Sequence, residues 1–343
     1  MENSDPKKLI QRLTDETPLK AEHIRAGRNS RVYRVDCKSG RCLLAKFYLQ
    51  PTADGRSRLK QEWTALNFMT GSGITNIPRP LKFDESVQGA IYSFISGNPV
   101  KETTVKDIDE VVSFLAKLKD ISRLPAAIEL PRAAEACFSP AELVESIRQR
   151  LKKLQALPAK DEVYQSMHSF LENKFRPALE ECSGNAKQHF PAELWTAPLA
   201  QRNRTLSPSD FGFHNALRTE KGLAFVDFEY FGWDDPVKAT SDFLLHPAMD
   251  LSAQQMAAFF AGMKNIFKSD ENFVLRFKSY LPLFRLKWSM ILLNEFINHH
   301  LERRKFASGE VGEHKTLRSQ QLDKAENFLN KDQQILTVLN LRN

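Results

Sequence analysis

Cysteine is scarce: the 343 residues hold four, Cys37, Cys42, Cys137 and Cys182, with no CxxC spacing. Such thin usage excludes a disulfide framework and points to a reducing compartment. The eight histidines are scattered, and the adjacent pair His299 and His300 points to two faces of a helix, so no metal-ligand spacing emerges from them. Long apolar runs are also missing. The start of the chain lacks the apolar core of a signal peptide, and the most apolar stretch, 290–293, is far too short to span a bilayer. Cytoplasm is therefore the expected location, with no membrane partner. Repeats, low-complexity tracts and long linkers do not occur.

What is present is an ordinary globular composition, 42% hydrophobic and 27% charged, which argues against disorder. The formal charge of +7 suits an anionic partner such as a nucleotide triphosphate or a nucleic acid. The basic clusters at 148–153 and 303–305, however, sit inside helical patterns and read as solvated helix faces. No nucleic-acid-binding module accompanies them, and a nucleic-acid partner is not expected. The length exceeds what a single core usually fills, so two lobes are expected.

The periodicity divides the chain near residue 97. Residues 31–36 alternate polar and apolar, Ser39 and Gly40 mark a turn, and 42–47 is a second run of strand formers, which together predict a hairpin. Leu59, Trp63, Leu66 and Thr70 then recur at helical spacing until Gly71 and Gly73 stop the helix. Residues 81–83 and 90–95 read as further strands. Beyond 97 the pattern is mostly helical. Ile108, Val111, Leu115 and Leu118 share a stripe, and Ser139, Pro140 and Glu142 form a start signal with a capping box. Val163 to Phe175 marks another helix, which Pro177 is placed to kink. The stripes at 256–267 and 284–296 read as packing faces. The predicted class is α+β, with a small antiparallel-sheet lobe at 1–97 and a larger helical lobe at 98–343.

Polar exceptions to this pattern follow an informative order: Asn29 and Ser30 ahead of a strand, Lys46 on a strand, Glu62 on the next helix, then Asp210, Asn215, Asp227 and Glu229. Lys46 lies in an apolar run, where a lysine needs a partner for its head. Glu62 shares a helical face with Leu59 and Leu66 and points inward with them. The plainer alternative is a snorkelling edge-strand lysine and a surface glutamate. Asp227 falls in an apolar run read as a strand, and Glu229, two residues on, would share its side. An Asp, an Asn five residues later and an Asp on a following strand are the parts that hold a hydroxyl and a magnesium-bound triphosphate together. A polar loop would use the same Asp and Asn as turn residues, yet it leaves the two acids in the apolar run unexplained.

In this order and context the chain resembles the aminoglycoside phosphotransferase and choline kinase family, the small-molecule branch of the protein-kinase-like fold. The loop Pro208, Ser209, Asp210 with Asn215 stands where that family has a His-Gly-Asp triplet and an asparagine, and Asp227 with Glu229 is similar to its metal motif. The resemblance implies ATP and Mg2+ as cofactors and a small-molecule hydroxyl as acceptor: an aminoglycoside, an amino alcohol such as choline, or a sugar. It implies Asp210 as the catalytic carboxylate, Asn215 and Asp227 as metal ligands with Glu229 assisting or holding a loop, and Lys46, Glu62, Asn29 and Ser30 at the nucleotide. His214 has no role in that pattern and reads as a packed or solvent-facing residue. Pro208 replaces the usual histidine, which keeps a nucleotide-binding protein without transfer activity as the alternative. No Ala-Pro-Glu motif follows Asp227, which argues against a protein substrate. The aromatic and acidic stretch 230–235 is open to two readings, a seat for a cationic amine or a helix N-cap at Asp235.

Overall fold

The structure is a computed structural model and describes residues 5–24, 30–49, 55–188, 190, 192–297 and 314–341. Helix α1 (Pro6–Leu13) precedes strands β1 (Pro18–Ile24), β2 (Ser30–Cys37) and β3 (Cys42–Tyr48). Helix α2 (Arg58–Gly71) leads to β4 (Pro80–Asp84) and β5 (Gly89–Ser93), and the sheet order is β1-β2-β3-β5-β4, antiparallel throughout. The hairpin, the helix and the later pair of strands are where the periodicity puts them. Helix α1 and strand β1 are additional, because an edge strand with few inward apolar residues leaves little alternation to read.

Period two sorts β3 between the two faces of this sheet. Leu43, Ala45 and Phe47 pack with Leu9 and Ile10 of α1, while Tyr48 joins Leu59 and Leu66 of α2 in the main core. Lys46 falls on the α2 face by the same rule. Helix α2 starts on Ser57, whose side chain accepts from Lys60 N–H. Glu62 lies between Leu59 and Leu66 and is buried with them, as the helical period requires.

The short strand β6 (Asn98–Pro99) pairs with β8 (Ala216–Thr219), which forms a hairpin with β9 (Gly222–Phe225). Asn76, just after α2, donates from Nδ2 to the Leu223 carbonyl at 3.0 Å and accepts from Phe225 N–H at 2.9 Å, so the sheet region is tied to this hairpin. Strands β7 (Thr205–Ser207) and β10 (Gly232–Asp234) pair antiparallel. The rest is helical: α3 (Val105–Ile121), α4 (Pro140–Gln155), α5 (Glu162–Phe170), α6 (Arg176–Gln188), α7 (Ala192–Thr196), α8 (Pro236–Leu245), α9 (Ala253–Ile266), α10 (Phe273–Leu292), α11 (His314–Asn327) and α12 (Lys331–Val338). The class is α+β in the predicted arrangement, a small sheet region followed by a helical body. Among the described residues no helix is long and apolar enough to cross a membrane.

Three local expectations need correction. The capping box of α4 is half formed: Ser139 accepts from Glu142 N–H, but Glu142 Oε2 accepts from Phe138 N–H and from Arg132. Between α5 and α6 the chain makes a π turn, Leu171–Phe175, ahead of Pro177, whose missing N–H leaves the regular ladder incomplete there. Most important, the strand β9 ends at Phe225, so Asp227 and Glu229 are not on a strand. Asp227 has φ +68° in the left-handed region, and residues 229–230 form a turn. The apolar run misleads because Phe228 and Phe231 are fully buried from a loop, which looks like strand periodicity in sequence.

Candidate active site

Lys46 meets two acids that are far apart in the chain. Its Nζ donates to Glu62 Oε2 at 2.6 Å and to Asp227 Oδ1 at 2.7 Å, across 181 residues, and lies 3.6 Å from Glu229 Oε2. Burial alone would lower this amine's pKa, but Asp227, Glu62 and Glu229 outweigh it and hold the group well above its ordinary value. Glu62 Oε2 also accepts from Tyr48 hydroxyl at 2.7 Å, and its Oε1 accepts from Phe228 N–H at 3.1 Å. The left-handed turn at Asp227 therefore does what a strand could not: it brings a backbone N–H onto α2 and a carboxylate onto Lys46 together.

Glu62, Asp227 and Glu229 offer oxygens within 4.8 Å of one another. Against these three carboxylates the cluster sets two cations, Lys46 and Arg58, the latter 3.5 Å from Glu229 Oε1. Burial, and next Asp227, push the Glu229 carboxyl up to about 7. Hard oxygen donors, and a negative charge that comes into surplus as Glu229 ionises, fit a divalent cation of the Mg2+ type. Asn215 fits as well: its Nδ2 is spent on the Asp210 carbonyl at 3.0 Å, which leaves Oδ1 as a neutral ligand oxygen. Val226 N–H donates to the Asn215 carbonyl at 2.9 Å, so Asn215 and Asp227 are neighbours.

Asp210 lies on the loop after β7. Its side chain is 40% exposed, and Oδ1 is 3.0 Å from His214 Nε2 and 3.5 Å from His246 Nε2. Desolvation raises this carboxyl, but hydrogen bonds from His214 and then His246 outweigh it and hold it well below the usual carboxylate range. The two imidazoles stack with centroids 4.0 Å apart. His214 is thus neither simply packed nor solvent-facing. The chain makes room for it, since a Cβ on Gly212 would come within 2.8 Å of His214 Nδ1.

The preceding Ser209 has φ +68°, an uncommon conformation for a residue with a side chain. Its hydroxyl donates to the Ala134 carbonyl at 2.7 Å and accepts from Lys238 Nζ at 3.1 Å. Segment 131–134 runs against 230–233, with Trp233 N–H on the Pro131 carbonyl and Ala134 N–H on the Tyr230 carbonyl. Gly232 permits this approach, because a Cβ there would lie 2.3 Å from the Pro131 oxygen.

Lys238, Asp234, Asp242 and His246 are site residues that the motif order did not point to. Their signal is a four-residue spacing along α8, visible in the sequence as polar interruptions of an apolar helix. Of the residues expected at the nucleotide, Lys46 and Glu62 meet and Ser30 is a buried residue opposite Tyr48 at the start of β2. Asn29 lies outside the described residues. The stretch 230–235 follows its structural reading. Asp235 caps α8 through Val237 N–H and pairs with Arg276, Asp234 pairs with Lys238, and Phe231 is fully buried.

The chain matches the phosphotransferase enzyme family over residues 20–263, well over half its length. It belongs to that family. Solved structures similar to this member include a spectinomycin phosphotransferase in complex with ADP and spectinomycin, at 14% identity and TM-score 0.56, covering 94% of this chain and 98% of that one. A choline/ethanolamine kinase family protein from Mesorhizobium loti matches at 15% identity and TM-score 0.57, covering 94% and 92%. An amicoumacin kinase in complex with AMP-PNP and Ca2+ matches at 12% identity and TM-score 0.57, covering 97% and 94%. Identities this low speak for the fold alone, which is the protein-kinase-like fold of these small-molecule kinases. No curated protein sequence matches this chain.

Proposed function

We propose that this phosphotransferase-family chain is an ATP- and Mg2+-dependent kinase for a hydroxyl of a small molecule, with a nucleotide-binding lobe at 1–97 and the catalytic and acceptor lobe at 98–343. The observation that carries this reading is the meeting of Lys46 with Glu62 and Asp227, which joins the two halves of the chain in one buried charge cluster. The ADP and AMP-PNP bound by the spectinomycin phosphotransferase and the amicoumacin kinase support a nucleotide as co-substrate.

In this reading Lys46, aimed by Glu62, neutralises phosphate charge, and Ser30 at the start of β2 with Asn29 next to it in the sequence are the further phosphate contacts. Asn215, Asp227 and Glu229 would hold Mg2+, which supplies neutralisation of the triphosphate charge when bound. Asp210 orients the acceptor hydroxyl and accepts its proton as the oxygen attacks the γ-phosphorus, while the bond from that phosphorus to the bridging oxygen breaks and ADP leaves. The low pKa of Asp210 keeps it ionised at neutral pH, which suits it to orient the hydroxyl as a hydrogen-bond acceptor and leaves proton uptake to late in the transfer. The acceptor is an aminoglycoside, an amino alcohol or a sugar-like molecule; the spectinomycin phosphotransferase supports the first of these and the choline/ethanolamine kinase family protein the second.

The test is an ATP-consumption screen over sugars, aminoglycosides, amino alcohols and nucleosides, with Asp210→Ala as the blank. Transfer to one class, lowered about 100- to 10,000-fold in the blank, is the expected result. Pro208 favours the other reading, a nucleotide-binding protein without transfer, and that reading predicts Mg-ATP binding with no acceptor in any class.

A further inference from the structure

Asp234, Lys238, Asp242 and His246 recur every four residues and so lie along one stripe of α8 and its flanks. Each has a fixed partner. Lys238 Nζ lies 2.9 Å from Asp234 Oδ2 and 3.0 Å from Asp242 Oδ2. Asp235 N–H donates to Asp234 Oδ1 at 2.9 Å, and Trp288 Nε1–H donates to Asp242 Oδ1 at 2.8 Å. The Trp288 ring meets His246 edge-on at 4.8 Å. The backbone N–H of Ala248 donates to His246 Nδ1 at 3.1 Å. Nδ1 is therefore an acceptor, and the proton of the neutral ring sits on Nε2, facing Asp210.

That tautomer also answers what else the cluster could be. Asp210, His214 and His246 present ligand atoms within 4.8 Å of one another, the spacing of a metal site. A metal on His246 needs a bare Nε2 and a donor at Nδ1, the reverse of what Ala248 imposes.

We propose that this stripe is the positioning device of the catalytic loop: Lys238 clamps Ser209 in its left-handed conformation, and His246, stacked on His214, holds one oxygen of Asp210 so that the other meets the acceptor hydroxyl. The proposal rests on the reading of Asp210 as the residue that orients that hydroxyl. Pro208 brings no donor of its own to the loop. Bracing comes instead from α8, which touches the loop at two consecutive residues, Ser209 and Asp210. His246 and Lys238 are positioning residues, acting through Asp210 and not on the substrate.

Transfer is measured with the acceptor found in the screen, or with water as acceptor, in His246→Ala, His246→Gln, Ser209→Gly and Asp210→Ala. His246→Ala should lower kcat about 100-fold, the order expected when a reacting group is displaced by about 1 Å, with KM for ATP unchanged. His246→Gln, whose amide N–H stands in for Nε2–H, should recover most of that loss. Ser209→Gly keeps the backbone conformation without the clamp, so it should fold normally and still lose kcat. Independently of any variant, nitrogen chemical shifts of His246 in the unsubstituted protein should show Nδ1 without a proton. A protonated Nδ1, or full kcat in His246→Ala while Asp210→Ala is inactive, overturns the positioning role alone. Full kcat in Asp210→Ala overturns the reading of Asp210 and the positioning role with it.

Discussion

Among the described residues Lys46 and Lys238 are each buried between at least two carboxylates, and the contrast between them separates a site from its support. Lys46 gathers Glu62 and Asp227 from opposite halves of the sequence, and Asp227 keeps 29% of its side chain exposed. Lys238 gathers Asp234 and Asp242 from four residues either side, with the first fully buried and every oxygen named above already on a fixed donor. A surplus carboxylate that reaches solvent is an offer to a cation or a phosphate-bearing ligand. A surplus that is sealed by Trp288 N–H and a backbone N–H is architecture.

Removing each amine is the most drastic way to break this comparison. Lys238→Met leaves two acids without their cation in a closed space and should cost about 3–5 kcal/mol in urea unfolding. Lys46→Met should cost less, about 1–3 kcal/mol, and Mg2+ should restore part of it. Equal losses, both indifferent to Mg2+, would mean that the two clusters are alike.

A pH series sharpens the same contrast. Burial, against the pull of Lys238, raises the Asp234 carboxyl from its ordinary 3.8 to about 6. Between those values the unfolded state has lost a proton that the folded state keeps, so stability falls as pH rises through the window. Glu229, raised from 4.5 to about 7, gives a fall of the same sign over its own window. Mg2+ favours the charged form of Glu229, so unfolding measured with and without Mg2+ should show the Glu229 part of the slope flattened and the Asp234 part unchanged. An unchanged slope over both windows would remove Glu229 from the cation site.

The smallest effect belongs to Gly212→Ala, whose new methyl would meet His214 Nδ1 and lie 2.9 Å from Met249 Sδ. Overpacking by one methyl against side-chain ends falls at the low end of its range, about 1 kcal/mol. Activity should fall with it, because the ring displaced is the one at 3.0 Å from Asp210. A variant as active and as stable as the parent would show that His214 has room to move.

Much of this is legible in the sequence. Lys46 and Glu62 follow from two periodicities, one of two and one of 3.6, that both point at the same side of the sheet. The spacing from Asp210 to Asn215 survives as a loop in which the asparagine amide holds the aspartate carbonyl. The run around Asp227 reads as a strand because Phe228 and Phe231 are core residues, and hydrophobicity does not reveal whether a buried aromatic comes from a strand or from a turn. The left-handed φ at Asp227 has no glycine to announce it. The partnership of His214 with His246 was invisible for another reason. It depends on how α8 ends and on where Met249 and Trp288 close around it, which no local pattern carries.

Mg-ATP titration calorimetry on the unsubstituted chain, on Asp210→Ala and on Asp227→Asn tests the central claim most directly. Asparagine is the right replacement at 227, since it tolerates the left-handed backbone that alanine would strain. The result expected is tight binding to the first two proteins and binding weakened at least about tenfold, one charge-assisted contact's worth, in the third. Equal affinity in all three would contradict it.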